Sequence, residues 1–223
     1  MIASGRIEAI RVGKVARLEN AGRGGRGILT AFAKTPIEGA VAVGIMGLAG
    51  DAQGNLKVHG GPEKSVYGYP ASGYVAWRVE FPELAMRPGA MGENLVIADL
   101  DESSVHIGDL IRAGTALLQV SQIREPCNTF AAIHGTTRIV RAMTRSGRCG
   151  WYYRVLEAGI VSAGDPHDIV DRPNPEWPVA RFAGFAAGRS GTVAALAELA
   201  VLPGLTPAWQ RKAREALTRQ TGG

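Results

Sequence analysis

Cys127, one of only two cysteines in the chain, follows an alternating apolar run and is the residue in this sequence best placed for chemistry. Pro126 removes a backbone donor and stiffens the chain just before the thiol. A thiol near Arg124 and near a predicted helix start at Asn128 can be held as thiolate, the form that attacks electrophiles or binds metal. An isolated cysteine is more commonly a core residue. From the residues alone, packing, nucleophile and metal ligand all stay open.

A glycine-rich turn in the stretch KVHGGPEKSVYGYP is a second candidate. Gly60 and Gly61 let the backbone approach a ligand closely, because neither carries a Cβ. His59 and Lys64 flank the turn, and Lys57 precedes it. A tight loop with ordinary surface lysines is the alternative interpretation.

A Gly-Glu-Asn triplet opens an apolar strand in the stretch GAMGENLVI. It places the acid of Glu93 and the amide of Asn94 at a strand start, although simple turn formation explains the same residues. The second cysteine, Cys149, stands before three aromatic residues and is predicted to pack in the core. The sequence contains no phosphate-binding P-loop, dinucleotide glycine fingerprint or nucleophile elbow.

Composition places the chain among globular proteins. The 223 residues are 46% hydrophobic and 20% charged, with 30 glycines that indicate many turns. No apolar run approaches the ~20 residues of a membrane span, and no signal peptide is visible, so we expect a cytoplasmic protein. The net charge of +5 is concentrated in residues 1–27 and 205–223. Because the middle of the chain is slightly acidic, charge does not favour nucleic-acid binding.

The elements that must position these residues are mostly short strands. Breaks at Gly and Pro divide residues 1–172 into many such strands, which favours a closed or nearly closed barrel. Helical spacing predicts helices over residues 71–81 and 136–147, and a hairpin is predicted about Ala158-Gly159. A proline-rich segment then predicts a stiff joint, and three helical patterns follow it. We expect a barrel domain over 1–172 and a three-helix domain over 173–223 that packs against it.

Four ordered stretches together resemble the MOSC domain (molybdenum cofactor sulfurase C-terminal domain) of the YiiM-like branch. They are GLAGDAQGNLKVHGGPEKSVYGYP, GENL, IGDLIRAGTALLQVSQIREPC and GWYYRVLEAGIVSAGD. The resemblance covers roughly residues 7–172, and the remainder is similar to the small three-helix domain of this branch. It implies a mainly β, MOSC-type barrel with a few short helices, followed by a small all-α domain.

The resemblance also implies a cofactor and a set of site residues. The cofactor is molybdopterin carrying molybdenum, with Cys127 as the metal ligand, which suits a soft thiolate. Catalytic roles are implied for Cys127, Glu93 and His59. Cofactor-binding roles are expected for Gly60, Gly61, Lys57, Lys64, Asn94, Asp109 and Arg124. At Asp109 a structural turn is an equal alternative, and Lys64 or Arg124 could pair with the pterin phosphate.

The function implied is reduction of small N-hydroxylated compounds such as hydroxylaminopurines and amidoximes. Electrons would come from a separate flavin or iron-sulfur partner, because the chain lacks a cysteine cluster of its own. Two alternatives stay open: a sulfur-transfer protein with a persulfide on Cys127, and a non-catalytic carrier of the cofactor. No membrane partner is expected, and a homodimer is one of the alternatives for the oligomeric state.

Overall fold

The strands of the barrel are short and follow the glycine and proline breaks of the sequence. The computed structural model describes residues 1–19, 21, 25–54, 60–189 and 191–222. Its strands are β1 Ala3–Val12, β2 Ala16–Leu18, β3 Ile28–Thr30, β4 Thr35–Ile37, β5 Val41–Gly44, β6 Gly47–Leu48, β7 Val66–Pro70, β8 Leu95–Ala98, β9 Leu110–Ala113, β10 Ala116–Ile123, β11 Trp151–Glu157, β12 Gly159–Val161 and β13 Pro166–Asp171. Its α-helices are α1 Ala71–Glu80, α2 Asn128–Ile133, α3 Arg138–Ser146, α4 Val179–Ala186, α5 Val193–Leu199 and α6 Pro207–Thr221.

Seven strands close into a barrel in the order β1-β8-β7-β11-β10-β9-β13, and β13 pairs back onto β1. The β7–β8 pair is parallel, whereas the other pairs in the ring are antiparallel. Closure satisfies both edges of every strand in the ring and leaves no open edge there for association. The predicted mainly β barrel with a few helices is confirmed.

Inward-facing side chains fill the barrel. In β10, Leu118 and Val120 are fully buried, as alternation along a strand requires. Cys149 is also buried and belongs to the same apolar cluster, so its predicted packing role is confirmed. Burial raises the pKa of the Cys149 thiol well above its ordinary value, which keeps it protonated and unreactive.

The hairpin predicted about Ala158-Gly159 is wrong. β12 pairs with β5, in a small sheet with β6 outside the barrel, and β11 pairs with β10 and β7. Gly159 lies against the turn between β9 and β10, where a Cβ would come 2.5 Å from the Ala116 amide nitrogen. The Thr115 hydroxyl accepts a hydrogen bond from the Ile160 amide at 2.8 Å, which directs the chain away from β11.

Residues 173–178 are fastened to the barrel. The Asn174 side-chain amide donates to the carbonyls of Ile107 and Pro203, both at 2.8 Å. The Ile107 amide donates to the Trp177 carbonyl at 2.9 Å. This joint therefore fixes the helices that follow it instead of tethering them loosely.

The C-terminal segment has three helices, α4 to α6, which share one core with the barrel. Phe182 on α4 and Trp209 on α6 meet edge to face with their ring centroids 5.1 Å apart. Thr206 and Pro207 begin α6 as the sequence predicts. Because the buried cluster runs continuously from the barrel into these helices, the division into two domains at residue 172 stays a prediction. None of the helices within the described ranges is long and apolar enough to cross a membrane.

Candidate functional site

Four of the predicted site residues line one cleft at the end of β10. They are Lys64, Asn94, Arg124 and Cys127. The cleft encloses a cavity volume of about 100 Å³ and opens to solvent. The residues that line the cleft come from six separate parts of the chain, so the closed barrel is what brings them together.

Cys127 is positioned by the end of β10 and the start of α2. It occupies the residue before the helix in an extended conformation, and α2 begins at Asn128 as predicted. Its carbonyl accepts a hydrogen bond from the Ala131 amide at 3.2 Å, which anchors the backbone. The residue is half-buried, so the thiol stands in the wall of the cleft and not in the core.

Arg124 faces the thiol from the same loop. Its guanidinium donates to the Cys127 Sγ at 3.8 Å, and it also lies 4.6 Å from the ring centroid of Phe130. A second donor contacts the Met143 sulfur at 3.7 Å. Since Arg124 is only 5% exposed, these contacts hold a positive charge in a fixed place beside the sulfur.

Lys64 brings a second cation to the cleft. It is the last residue of a one-turn 3-10 helix, Pro62–Lys64. Gly61, which precedes this helix, has a positive φ of 86°. The Gly61 amide donates to the Gln53 side chain at 3.0 Å, and this contact fastens the turn to the cleft wall. Burial lowers the pKa of Lys64, while the Glu125 carboxylate opposes this shift and Lys212 adds to it.

Asn94 is held by three hydrogen bonds. Its amide nitrogen donates to Asp51 Oδ2 at 2.9 Å and to the Arg11 carbonyl at 3.2 Å, and its oxygen accepts from the Tyr67 amide at 3.0 Å. The side chain thus ties β1, β7 and the turn at Asp51 together under the cleft. We conclude that Asn94 has a structural role and holds the wall of the cleft in place.

Lys34 and Asp51 were missed by sequence reasoning. Both line the cleft, and their side chains form an ion pair with Nζ to Oδ1 at 2.5 Å. Asp51 follows a glycine in a turn, which is a visible signal for a fixed carboxylate. Nothing in the sequence indicates that Lys34 reaches it, because the pairing depends on how two loops pack.

Glu93 and Asp109 do not join the cleft. Glu93 is fully buried and accepts hydrogen bonds from the Gly89 and Met91 amides, so it closes the loop that precedes β8. Burial raises its pKa. Asp109 is fully buried, pairs with Arg172 at 2.8 Å and accepts from the His106 amide.

The structure therefore favours the turn-forming alternatives that the sequence left open at these two positions. The catalytic role predicted for Glu93 and the cofactor contact predicted for Asp109 find no support in this geometry. Gly60 and Gly61 contribute the turn before Lys64 and do not line the cleft. Lys57 and His59 lie outside the described residues, and their roles stay predictions.

Residues 55–168 match the MOSC domain. The chain belongs to the MOSC domain family. All ten predicted site residues lie inside the matched range, whereas Lys34 and Asp51 precede it. Within this MOSC protein, the cleft is thus built partly from the family domain and partly from the N-terminal loops.

Relatives support a YiiM-like member of the family. YiiM of Escherichia coli is 42% identical over 146 residues, covering 64% of this chain and 65% of that protein. YflK of Bacillus subtilis, an uncharacterised protein, is 39% identical over 166 residues, covering 74% of this chain and 73% of YflK. A Gibberella moniliformis protein named reductase is 33% identical over 193 residues, covering 85% of this chain and 34% of that protein.

The crystal structure of YiiM from Geobacillus stearothermophilus superimposes with a TM-score of 0.79 at 30% identity. The match covers 96% of this chain and 99% of that one. The likeness therefore extends through α4 to α6 as well as the barrel.

Proposed function

We propose that this MOSC protein is a molybdenum-cofactor oxidoreductase that reduces small N-hydroxylated compounds of the hydroxylaminopurine and amidoxime type. The observation that carries the proposal is a half-buried thiol, Cys127, set in a cleft beside two cations, Arg124 and Lys64. A relative of the chain is named a reductase, which supports the same reaction class. Electrons are supplied by a separate flavin or iron-sulfur protein.

The residues of the cleft fit a molybdenum-pterin group. A thiolate is a soft ligand of the kind that redox-active metals take. The two cations suit the terminal phosphate of the pterin, since a phosphate is costly to bury without positive partners. Gly54 and Gly92 line the cleft, and both are needed for close packing of its wall, because a Cβ at Gly54 would be 2.9 Å from the Thr30 Cα and one at Gly92 2.9 Å from the Phe32 ring.

Cys127 would hold the metal, and Arg124 and Lys64 would hold the phosphate. The bound group supplies two-electron transfer to the N–O bond of the substrate. Arg124, fixed at 3.8 Å from the sulfur, stabilises negative charge on Cys127.

The cleft also has an aromatic wall suited to a planar substrate. Tyr67 and Tyr152 lie in contact with ring centroids 5.1 Å apart, and both line the cleft. Because Tyr67 is only 3% exposed, a purine or an amidoxime would pack against Tyr152, and an aromatic pair contributes ~0.5–1.5 kcal/mol beyond area burial. The wall thereby orients the substrate and excludes water from one of its faces.

The test is metal content and turnover in protein made by a host that synthesises the cofactor. Molybdenum and pterin per chain are measured, and reduction of a hydroxylaminopurine and an amidoxime is followed with a reduced viologen as electron source. Wild-type protein should contain both and reduce both substrates. Cys127→Ser should lose molybdenum and turnover while its circular dichroism spectrum is unchanged.

Two outcomes would contradict the proposal. Wild-type protein that contains molybdenum but reduces neither substrate would point to a carrier of the cofactor. A persulfide on Cys127, detected by mass spectrometry in protein without molybdenum, would point to sulfur transfer instead.

A further inference from the structure

Lys34 and Asp51 form a nearly buried ion pair in the wall of the cleft. The Lys34 Nζ and Asp51 Oδ1 atoms are 2.5 Å apart, and the two side chains are 7% and 6% exposed. Withdrawing two charges from water costs several kcal/mol per ion, so such a pair contributes little to stability compared with apolar packing. A buried lysine beside a carboxylate in a cleft is instead typical of a site that uses the proton.

The pair is fixed in position from both sides. Asp51 accepts from the Gly13 amide at 2.7 Å and from the Asn94 side chain at 2.9 Å. The Lys34 carbonyl accepts from the Arg11 guanidinium at 2.7 Å. The ammonium therefore lies at a defined point of the wall, as proton transfer to a bound substrate requires.

The side chains of Asp51, Glu93 and Arg11 bring charge near Lys34. Burial lowers the pKa of the Lys34 ammonium, and the carboxylates of Asp51 and Glu93 oppose this shift. The Arg11 guanidinium is near Lys34 because it donates a hydrogen bond to the Lys34 carbonyl. The balance leaves an ammonium that gives up its proton more readily than a fully solvated lysine does.

We propose that Lys34 is the proton donor to the N-hydroxylated substrate, with Asp51 as its positioning residue. The inference rests on the proposed function. Two electrons and two protons convert R–NHOH into R–NH₂ and water, so the N–O bond breaks while new N–H and O–H bonds form. The electrons come from the external flavin or iron-sulfur donor. Lys34 Nζ gives one proton to the departing oxygen and is then reprotonated from solvent. The second proton, which goes to the nitrogen, also comes from solvent.

The choice of lysine allows a direct test, because arginine keeps the charge but does not release a proton near neutral pH. Lys34→Arg preserves a cation opposite Asp51. The wild-type kcat should fall as the pH rises through the pKa of Lys34, since the protonated form is the active one. In Lys34→Arg this basic limb should disappear.

The experiment compares wild-type protein, Lys34→Arg and Lys34→Met, with Lys14→Arg on an exposed lysine as the matched control. Molybdenum and pterin per chain, the thermal midpoint, and kcat and KM across pH are measured for each. For Lys34→Arg we expect unchanged cofactor content and an unchanged thermal midpoint. Its kcat per molybdenum should fall ~100-fold or more with little change in KM, because general acids contribute ~10²–10⁴-fold. Lys14→Arg should match wild type in every measurement.

A second measurement needs no activity. NMR of protein labelled with ¹³C at the lysine ε-carbon, prepared without cofactor, gives the titration of Lys34 directly, and Lys34→Arg identifies its signal. The Lys34 resonance should titrate at a pH below the ordinary range for lysine. In Asp51→Asn it should titrate lower still, because the opposing carboxylate is gone.

The outcomes separate this inference from the proposed function. Wild-type protein that reduces neither substrate at any pH refutes the proposed function and this inference with it. If wild type is active and Lys34→Arg is equally active with the same fall of kcat at high pH, the role of Lys34 is overturned and the proposed function is not. Loss of pterin from Lys34→Arg at unchanged kcat per molybdenum also overturns it and makes Lys34 a cofactor-holding residue. A Lys34 resonance that titrates in the ordinary range for lysine would show that burial does not lower the pKa of Lys34, and it would overturn the inference.

Discussion

Acid should destabilise the barrel at the seam where β13 closes it, because a neutral histidine is buried there. His167 pairs with Gly5 of β1 on one side and with Ala113 of β9 on the other. It is fully buried, and its Nε2 lies 2.9 Å from the Tyr153 hydroxyl. Burial lowers the pKa of His167 from 6.5 to about 4.

The size of the effect follows from proton linkage. Below about pH 6.5 the unfolded chain binds a proton at this histidine and the folded barrel does not, so acid favours unfolding. A change from 6.5 to about 4, at ~1.4 kcal/mol per pKa unit, corresponds to about 3 kcal/mol. Stability contributed by the neutral imidazole should be complete above pH 6.5 and lost progressively down to about pH 4.

The assay is urea unfolding at a series of pH values for wild type and His167→Gln, a neutral side chain that keeps an amide near Tyr153. The quantity compared is the change in unfolding free energy between pH 7 and pH 4, not the absolute stability of either protein. Glu102, whose pKa burial raises to about 6, acts with the opposite sign over this window. Because Glu102 is present in both proteins, it cancels in the comparison.

Between pH 7 and pH 4, the unfolding free energy of His167→Gln should fall by about 3 kcal/mol less than that of wild type. Equal losses in the two proteins would refute the reasoning. Direct NMR titration of the imidazole in wild type gives an independent check, and an imidazole that titrates near 6.5 would also contradict it.

Further predictions concern the cleft, the core and the C-terminal helices. Arg124→Ala should weaken cofactor retention after dialysis by about tenfold to a hundredfold, and the less buried Lys64→Ala by about tenfold, since charge-assisted contacts are worth ~1.5–3 kcal/mol. Arg211→Ala, on an exposed position of α6, should leave retention unchanged, and equal losses in all three would exclude specific contacts. Cys149→Ala should lower the unfolding free energy by ~1 kcal/mol and leave molybdenum content intact, whereas loss of the metal would reassign the ligand. Limited proteolysis should spare residues 173–178, because side-chain and backbone hydrogen bonds fasten them to the barrel; a stable fragment ending there would show that the helices are separable.

Local chemistry explains why several features were predictable from the sequence. Gly147 ends α3 with φ of 75°, a conformation that glycine adopts without strain. Thr206 and Pro207 begin α6 because Pro is compatible with the first turn of a helix. The start of α2 just after Cys127 was likewise readable from its neighbours, so the position of the thiol at a strand end followed from residues close in sequence.

The directions of the Glu93 and Asn94 side chains could not be predicted from neighbouring residues. Glu93 and Asn94 are adjacent, yet Asn94 lines the cleft and Glu93 points to the loop amides before β8. Adjacent residues at a strand start point to opposite sides, so a motif does not tell which of the two faces a ligand. Packing of the preceding loop decided it.

The sequence by itself determined the class of fold, the order of its strands and helices, and the thiol that marks the site. Those depend on periodicity, turn residues and caps, which act over a few neighbouring positions. Only the tertiary structure decided that β12 pairs with β5, and that Lys34 meets Asp51 across 17 residues and Asp51 meets Asn94 across 43. Such pairings depend on which surfaces the closed barrel brings together, and the free energy that selects them comes from burial and not from local conformational preference.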